Sequence, residues 1–134
     1  MLESLRSLLC QPYSRYGENV ALDSQCLFCR IILGEIPADI VLRNDNVVAF
    51  NDINPQAPTH VLLVPTLHVE NAAELAQLSP TITAELFSAA AEIATQRGLS
   101  GHRTLFNTGA DAGQSVFHAH LHLLGGRALA WPPG

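Results

Sequence analysis

The sequence predicts one α+β domain built on an antiparallel sheet, and three observations lead to that prediction. A chain of 134 residues has the size of a single domain. Its 48% hydrophobic and 14% charged residues suit a compact core and argue against a disordered chain. Strand-like runs follow one another as hairpins, with only one long helical pattern, which favours antiparallel pairing over βαβ units.

The first predicted elements are an extension and a short helix. Residues 1–24 are interpreted as an N-terminal extension with helical leucine spacing, and a transit peptide or a misplaced start codon are the alternatives. The domain proper covers residues 25–134. A short helix over Cys26–Leu33 is expected to stop at Gly34.

The remaining elements follow in order. Asn44-Asp45-Asn46 separates two strand-like runs and predicts a hairpin, and one continuous apolar run predicts a buried strand. Apolar residues near the 3.6-residue period predict one long amphipathic helix that lies on the sheet. The predicted strands are Ile40–Arg43, Val47–Asn51, His60–Pro65, Arg103–Asn107 and Ser115–Leu124, and the long helix is Pro80–Arg97.

Charge and hydropathy limit the partners. The formal net charge is -5 and no basic block occurs, so a nucleic-acid partner is not expected. No apolar run approaches the roughly 20 residues that cross a bilayer, so no membrane partner is expected either. The missing secretory signal and the expectation of reduced thiols favour the cytoplasm.

Three histidines alternate along the last predicted strand. Period two would place His118, His120 and His122 on one face, where imidazoles can bind metal, transfer protons or attack an electrophile. A solvated polar face is the alternative, but such a face would normally mix Lys, Glu, Thr and Ser. The residues expected to face the core and the long helix are Phe117, Ala119, Leu121 and Leu123.

The loop before these histidines is rich in glycine. Gly109 and Gly113 let backbone N–H groups approach an anion, and Asn107, Gln114 and Ser115 add side-chain donors. Such a loop is by itself as often a plain turn. Beside the histidines it predicts a phosphate cradle.

Further polar residues admit two interpretations each. His60 is either a core histidine with one hydrogen bond or a site residue, and Asp52 either binds a ribose diol or caps a turn. Cys26 and Cys29 form a C-x-x-C pair that, with His68 and one triad histidine, would make a Cys2His2 zinc site. A redox pair or two small buried residues are the alternatives.

These motifs together resemble a known family. His118–Leu124 is similar to the His-x-His-x-His motif of the histidine triad family. The segments 49–60, 113–117, 125–127 and 131–134 look like its Hint branch of purine nucleoside phosphoramidases, and the resemblance covers about residues 25–134. The last two segments argue against the fragile-histidine-triad branch.

The resemblance implies a homodimer with a continuous sheet and a covalent mechanism without a required cofactor. His120 would be the nucleophile on the α-phosphorus, held by the backbone carbonyl of His118. His122 and His60 would contact phosphate oxygens and shuttle protons. Ser115 would hydrogen-bond to the phosphate or the leaving amine. The phosphate cradle implied by the family is Asn107, Gly113, Gln114, Ser115 and Val116.

The implied substrates are purine nucleoside 5′-phosphoramidates or acyl adenylates, with AMP or GMP as the nucleotide. Asp52 would bind the ribose, and Trp131 would approach the partner protomer's site. The implied base slot is Leu27, Phe28, Ile31, Phe50, Ile53 and Leu62, and the implied structural zinc ligands are Cys26, Cys29, His68 and His118. Two departures are Asn51, where the branch often has His, and the C-x-x-C pair, which typical eukaryotic members lack.

Two other functions stay open. A metalloenzyme would bind catalytic zinc through His118, His120 and His122, and chelators would abolish its activity. A nucleotide-binding scaffold would keep its biological role when His120 is replaced by Ala.

Overall fold

Five strands form one antiparallel sheet in the computed structural model, which describes residues 23–134. The strands are β1 (Ile40–Arg43), β2 (Val47–Asn51), β3 (Thr59–Pro65), β4 (His102–Leu105) and β5 (Leu121–Gly125). The helices are α1 (Leu27–Ile32), α2 (Ala72–Leu78) and α3 (Pro80–Gln96), with a 3-10 turn at Ala110–Ala112. The strand order is β1-β2-β3-β5-β4, so the predicted α+β class with about five antiparallel strands is confirmed. The extension predicted for residues 1–24 lies almost wholly outside the described residues and stays a prediction.

The predicted hairpin forms because Asn44 organises its turn. The Asn44 Oδ1 accepts hydrogen bonds from the backbone N–H groups of Asn46 (3.0 Å) and Val47 (2.9 Å). An Asn side chain that bonds the backbone two or three residues ahead is a common turn device. β1 and β2 then pair antiparallel from Arg43 opposite Val48.

The sheet carries a hydrophobic cluster on each face. Behind it, α3 packs on inward residues of β2, β3 and β5, and Leu63, Leu86 and Leu123 are fully buried there. In front, α1 packs its Phe28 against Phe50 and other alternate residues of β2 and β3. The long amphipathic helix and the buried third strand were both predicted. The front cluster creates the wall against which the site is built.

The helices begin at polar caps. Ser79 precedes Pro80 and its side chain accepts from the N–H of Ile82 (3.1 Å), which is the usual start of a helix with proline in its first turn. Asn71 caps α2 by accepting from the N–H of Glu74 (3.0 Å). The sequence prediction missed α2. Within residues 23–134 no helix is long and apolar enough to cross a bilayer.

The last strand is shorter than predicted. Ser115–Leu124 was expected, whereas β5 covers only Leu121–Gly125, so His118 and His120 precede the ladder and His122 alone lies in it. The backbone contacts of the segment directly before Leu121 explain the difference. The Ala119 N–H donates to the carbonyl of Val69 (2.8 Å) instead of to a neighbouring strand.

Two further expectations at these strands are corrected. Phe117 was expected in the core, but it is 46% exposed because it lies ahead of the ladder. The fourth strand was expected at Arg103–Asn107 and covers His102–Leu105, since Phe106 and Asn107 already lead into the glycine-rich loop. The histidines are therefore not a row on one strand face, and their separate surroundings decide their roles.

Candidate functional site

A pocket of about 380 Å³ opens between α1, the front of the sheet and the glycine-rich loop. Its apolar wall comes from α1 and strands β2 and β3, and its polar end comes from the loop and β5. Predicted residues that line it are Leu27, Phe28, Ile31, Phe50, Asp52, Ile53, Leu62, Asn107, Gly113, Ser115, Val116, His120 and His122. An apolar slot with a few convergent polar groups is the usual form of a small-molecule site.

His120 is held in one orientation at the polar end. Its Nδ1 lies 2.8 Å from the backbone carbonyl oxygen of His118, and a carbonyl only accepts, so Nδ1 carries the proton and donates. The neutral ring therefore has its lone pair on Nε2. Burial lowers the pKa of His120, which keeps that lone pair available near neutral pH. The edge of the Phe28 ring packs against the imidazole, with centroids 5.0 Å apart.

His122 and His60 form a hydrogen-bonded pair beside it. His60 Nε2 lies 2.9 Å from His122 Nδ1 and 3.4 Å from an Asp52 carboxylate oxygen. The backbone N–H of Gln56 donates to His60 Nδ1 (3.0 Å). Burial and the two neighbouring histidines lower the pKa of His122 to about 4, and burial also lowers the pKa of His60 against the pull of Asp52. The pair is thus neutral near pH 7.

One nitrogen of this pair has no protein partner. His122 Nε2 is buried and makes no hydrogen bond within residues 23–134, although its ring lines the pocket. Buried polar atoms are normally satisfied, and an exception calls for an explanation. A ligand oxygen in the pocket would supply the missing partner.

The glycine-rich loop is shaped by Gln114. Its Oε1 accepts from the N–H of Gly109 (2.9 Å), and its Nε2 donates to the carbonyls of Glu70 (2.8 Å) and Val116 (3.2 Å). This buried side chain does not line the pocket, whereas Ser115 and Gly113 do. Gln114 thus fixes the loop that presents the other polar groups.

A second cluster lies behind the polar end of the pocket. Cys26 Sγ is 3.4 Å from His118 Nδ1, and Cys29 Sγ is 3.2 Å from His68 Nδ1 and 3.7 Å from His118 Nδ1. All four ligand atoms lie within 4.8 Å of one another. Tetrahedral zinc, with bonds of about 2.3 Å to sulfur and about 2.0 Å to nitrogen, sets its ligand atoms about 3.3–3.8 Å apart. The donor set and its spacing therefore fit zinc.

His118 is prepared for that cluster by a backbone carbonyl. Its Nε2 donates to the Pro65 carbonyl (2.9 Å), which leaves the Nδ1 lone pair on the side of the thiols. Burial lowers the pKa of His118 to about 3, so the ring is neutral, as a metal ligand must be. Metal binding needs thiolates, so both ligand cysteines must be reduced and deprotonated when the metal binds.

The structure separates the predicted site residues into two groups. His118 joins the cysteines, so the three triad histidines do not form one ligand set among the described residues. His60 lies behind His122 and does not line the pocket. Trp131 is 82% exposed and away from this chain's own pocket, so its predicted contact with a partner's site stays a prediction.

Sequence reasoning missed part of the site. Ile36, Pro37 and Ala38 complete the apolar wall, and their position between a helix stop and a strand was the available signal. Nothing in the sequence pointed to the Gln56 N–H or the Pro65 carbonyl. Backbone groups carry no residue-type signature, so their roles emerge only from the fold.

Comparisons with known proteins agree with this geometry. Residues 33–129 match the family model described as HIT domain. A purine nucleoside phosphoramidase of Escherichia coli K12 is 42% identical over 107 residues, which cover 78% of this chain and 90% of that protein. A 14 kDa zinc-binding protein of Zea mays is 44% identical over 115 residues, covering 84% and 90% respectively. A HIT family hydrolase of Legionella pneumophila Philadelphia 1 has a solved structure with a TM-score of 0.78 and 46% identity, covering 81% of this chain and 99% of that chain.

Proposed function

Because the chain belongs to the HIT family and is a hydrolase of that family, we propose that it cleaves purine nucleoside 5′-phosphoramidates at the α-phosphorus. Acyl adenylates are the second leaving-group class that we include, and AMP or GMP is the product. The relative from Escherichia coli named purine nucleoside phosphoramidase supports this substrate class. The reaction would pass through a nucleotidyl group on His120.

One observation carries the proposal: His120 Nδ1 donates to the His118 carbonyl while Nε2 holds the lone pair at the pocket. A neutral, oriented imidazole is a competent nucleophile near neutral pH. The ring gains positive charge when Nε2 bonds to phosphorus. The His118 carbonyl, which already accepts from Nδ1, stabilises that charge at no reorganisation cost.

The first step exchanges one bond to phosphorus for another. His120 Nε2 bonds to the α-phosphorus as the P–N bond breaks, and the bonding pair leaves with the amine nitrogen. That nitrogen takes up one proton from solvent, and we assign Ser115 as the hydroxyl that hydrogen-bonds to it. In the second step water attacks phosphorus, the bond to His120 breaks, and one proton returns to solvent, so the histidines end as they began.

The unpartnered His122 Nε2 would bind a phosphate oxygen in both steps. Oriented donors aimed at developing phosphoryl charge are a large part of catalysis at such sites. Gly113, Ser115 and Asn107 would complete the cradle from the loop side. The base would lie against Phe28 and Phe50, and the Asp52 carboxylate would accept from the ribose hydroxyls.

We further propose that zinc is the metal of the Cys26, Cys29, His68 and His118 cluster. The Zea mays relative named a zinc-binding protein supports this choice, as do two thiols among the donors. Four protein ligands leave no open position, so zinc would stabilise the fold and take no part in the reaction. The cytoplasm is the proposed compartment, because thiolate ligands persist in reducing surroundings.

The proposed assembly is a homodimer that continues the sheet. β4 is an edge strand of the sheet and pairs with β5 on its inner side, so its outer side offers unpaired backbone groups. The exposed Phe87 of α3 packs edge-on against Phe106, which directly follows β4, with ring centroids 6.2 Å apart. A second copy would cover this edge and bring its Trp131 towards the first protomer's pocket.

The test is turnover of adenosine 5′-phosphoramidate by the reduced, full-length chain and by His120→Ala. The native chain should release AMP and ammonia, and mass spectrometry after a rapid acid-free quench should detect one nucleotidyl group on the peptide with His120. His120→Ala should lose at least about 1,000-fold in kcat, because the covalent route is removed. Arg43→Ala, on the far sheet edge, is the matched control and should keep native turnover.

Three outcomes would contradict the proposal. Full activity in His120→Ala would exclude the covalent route. Binding of AMP without any turnover in the native chain would favour the scaffold function. Brief chelation that abolished turnover while the fold persisted would favour the metalloenzyme.

A further inference from the structure

Arg127 contacts the turn that ends in His60, although it lies outside the pocket. Its Nη2 donates to the backbone carbonyl of Gln56 (2.9 Å), and its Nε approaches the same oxygen (3.3 Å). The third guanidinium nitrogen, Nη1, donates to the carbonyl of Ala128 (2.8 Å). Two contacts from one planar guanidinium to one carbonyl restrain the position of that residue more than a single contact would.

Gln56 in turn fixes the proton of His60. Its backbone N–H can only donate, so His60 Nδ1 must accept, and the neutral His60 ring carries its proton on Nε2. Two other hydrogen bonds restrain this turn before Gln56: the Asp52 N–H donates to the His60 carbonyl (2.9 Å), and the Asn54 N–H donates to an Asp52 carboxylate oxygen (2.8 Å). The Gln56 side chain donates to the Asn54 carbonyl (3.0 Å), and neither Pro55, directly before it, nor Pro58, two residues after it, has an N–H to contribute.

The proton of His60 then fixes that of His122. His60 Nε2–H lies 2.9 Å from His122 Nδ1, and two protons cannot occupy so short a gap. His122 Nδ1 therefore accepts, and the neutral His122 ring carries its proton on Nε2. That Nε2 is the buried nitrogen without a partner among the described residues, so it is a hydrogen-bond donor and not a lone pair.

We propose that Arg127 is a positioning residue that holds Gln56 so that its N–H sets the tautomers of His60 and His122, and thereby makes His122 Nε2 a donor to the substrate phosphate. The role rests on the proposed function for its consequence in turnover, but the tautomers themselves are independent of it. Arg127 touches neither the pocket nor the histidines. Its effect passes through one backbone residue.

The groups around the pair determine what happens without Arg127. Asp52 lies 3.4 Å from His60 Nε2, and the His120 ring packs at a tilt against His122 with centroids 5.0 Å apart. When residue 56 moves away, His60 Nδ1 loses its donor and can take the proton itself. His60 Nε2 then accepts from His122 Nδ1–H, and His122 Nε2 turns a lone pair towards the phosphate. A donor is replaced by a repulsive contact.

The first measurement reads the tautomers directly. Two-bond nitrogen–proton NMR spectra of 15N-histidine-labelled protein, without substrate, distinguish a protonated ring nitrogen from one that carries a lone pair. The native chain should show His60 and His122 both protonated on Nε2. Arg127→Ala should give a mixture with Nδ1–H on both rings, and Arg127→Lys, which keeps one donor, should restore most of the native pattern.

Direct removal of the N–H gives a second variant. Gln56→Pro deletes the donor, and Gln56→Ala keeps it while removing the side-chain bond to Asn54, so the two form a matched pair. Gln56→Pro should shift the tautomers and Gln56→Ala should not. If Gln56→Pro fails to fold, Arg127→Ala and Arg127→Lys still decide the question.

The second measurement is steady-state turnover of adenosine 5′-phosphoramidate. Arg127→Ala should lower kcat about tenfold with KM within about twofold, since a lost donor to a charged oxygen acts mainly in the transition state. Arg43→Ala removes another arginine-to-carbonyl bond, to Ile32 (3.0 Å), and should leave kcat and tautomers native.

Each outcome has one meaning. Native tautomers in Arg127→Ala, or Nδ1–H on His60 in the native chain, would overturn the inference. So would an unchanged kcat in Arg127→Ala alongside shifted tautomers. Shifted tautomers in a chain that hydrolyses no nucleotide would support the positioning role and reject the proposed function instead.

Discussion

Gly126 lets the backbone pass close to Pro58, which lies in the turn that carries Gln56 and leads to His60. Its φ is +89°, and a Cβ added there would meet the Cβ of Pro58 at 2.9 Å and the N of Thr59 at 3.5 Å. Gly98 also has a positive φ of +63°, but a Cβ added there meets nothing within 4 Å. Substitutions at the two glycines therefore distinguish the cost of a positive φ from the cost of steric overlap.

Replacement of each by Ala should have unequal costs. A positive φ costs an alanine about 1–2 kcal/mol, which applies to both positions. Overlap with a packed proline ring adds about 1–3 kcal/mol at Gly126 alone, because the ring must shift by several tenths of an ångström. We expect a loss of about 2–5 kcal/mol in the free energy of unfolding for Gly126→Ala and about 1–2 kcal/mol for Gly98→Ala.

Urea denaturation at pH 7, followed by circular dichroism, measures both losses. The midpoints should fall without a change in the slope m, because the exposed surface is the same. Gly126→Ala should also reduce kcat, since Pro58 belongs to the turn that carries Gln56, whereas Gly98→Ala should not. Equal losses of stability in the two variants would refute the steric reasoning. Native turnover in Gly126→Ala would refute the link to the turn.

Three other predictions use the same protein. Stability should fall as the pH drops from 7 towards about 5, because His122 has a pKa near 6.5 in the unfolded chain and about 4 in the folded one, so the unfolded chain binds the proton first. His122→Asn should reduce this dependence of stability on pH, and an unreduced dependence would assign it to other groups. Cys26→Ala should lose stoichiometric zinc in metal analysis of the reduced protein and lower its Tm, with Cys26→Ser giving no rescue; retained zinc would reject the cluster as the site. Leu86→Ala, at a fully buried core position, should cost about 2–5 kcal/mol in urea denaturation while the KM for adenosine 5′-phosphoramidate stays native; a loss under 1 kcal/mol would mean that the core closes over the cavity.

Local sequence signals predicted much of the fold because they act over a few residues. Asn44 and its neighbours specify a turn through side-chain bonds to the next N–H groups. The long helix has a periodic apolar face and a Ser79-Pro80 start, and both signals are short range. The apolar wall of the pocket and the position of His120 at its polar end were predicted because their residue types and spacing resembled a family.

The segment before β5 could not be predicted in the same way. Alternation at His118, His120 and His122 indicates a strand. That prediction is wrong for His118 and His120, because long-range contacts determine the backbone conformation of these two residues. The His118 ring contacts two cysteines that lie 92 and 89 residues away along the chain.

The helix α2 lacks a strong apolar period and was missed for a local reason. Its start at Asn71 was the available signal.

His118 joins the two sites through different parts of one residue. Its side chain lies in the proposed metal cluster, whereas its carbonyl accepts from Nδ1 of His120, the proposed nucleophile, at 2.8 Å. The ring is held by the Pro65 carbonyl on one side, and a bound metal on the other side would leave the His118 backbone little freedom. Under the proposed function, the orientation of His120 would therefore be coupled to metal occupancy, although the metal itself would take no part in the reaction. Such coupling predicts that turnover is lost slowly after chelation. The rate of loss should match the rate at which the structure around His118 loosens, and not the rate at which the metal is removed.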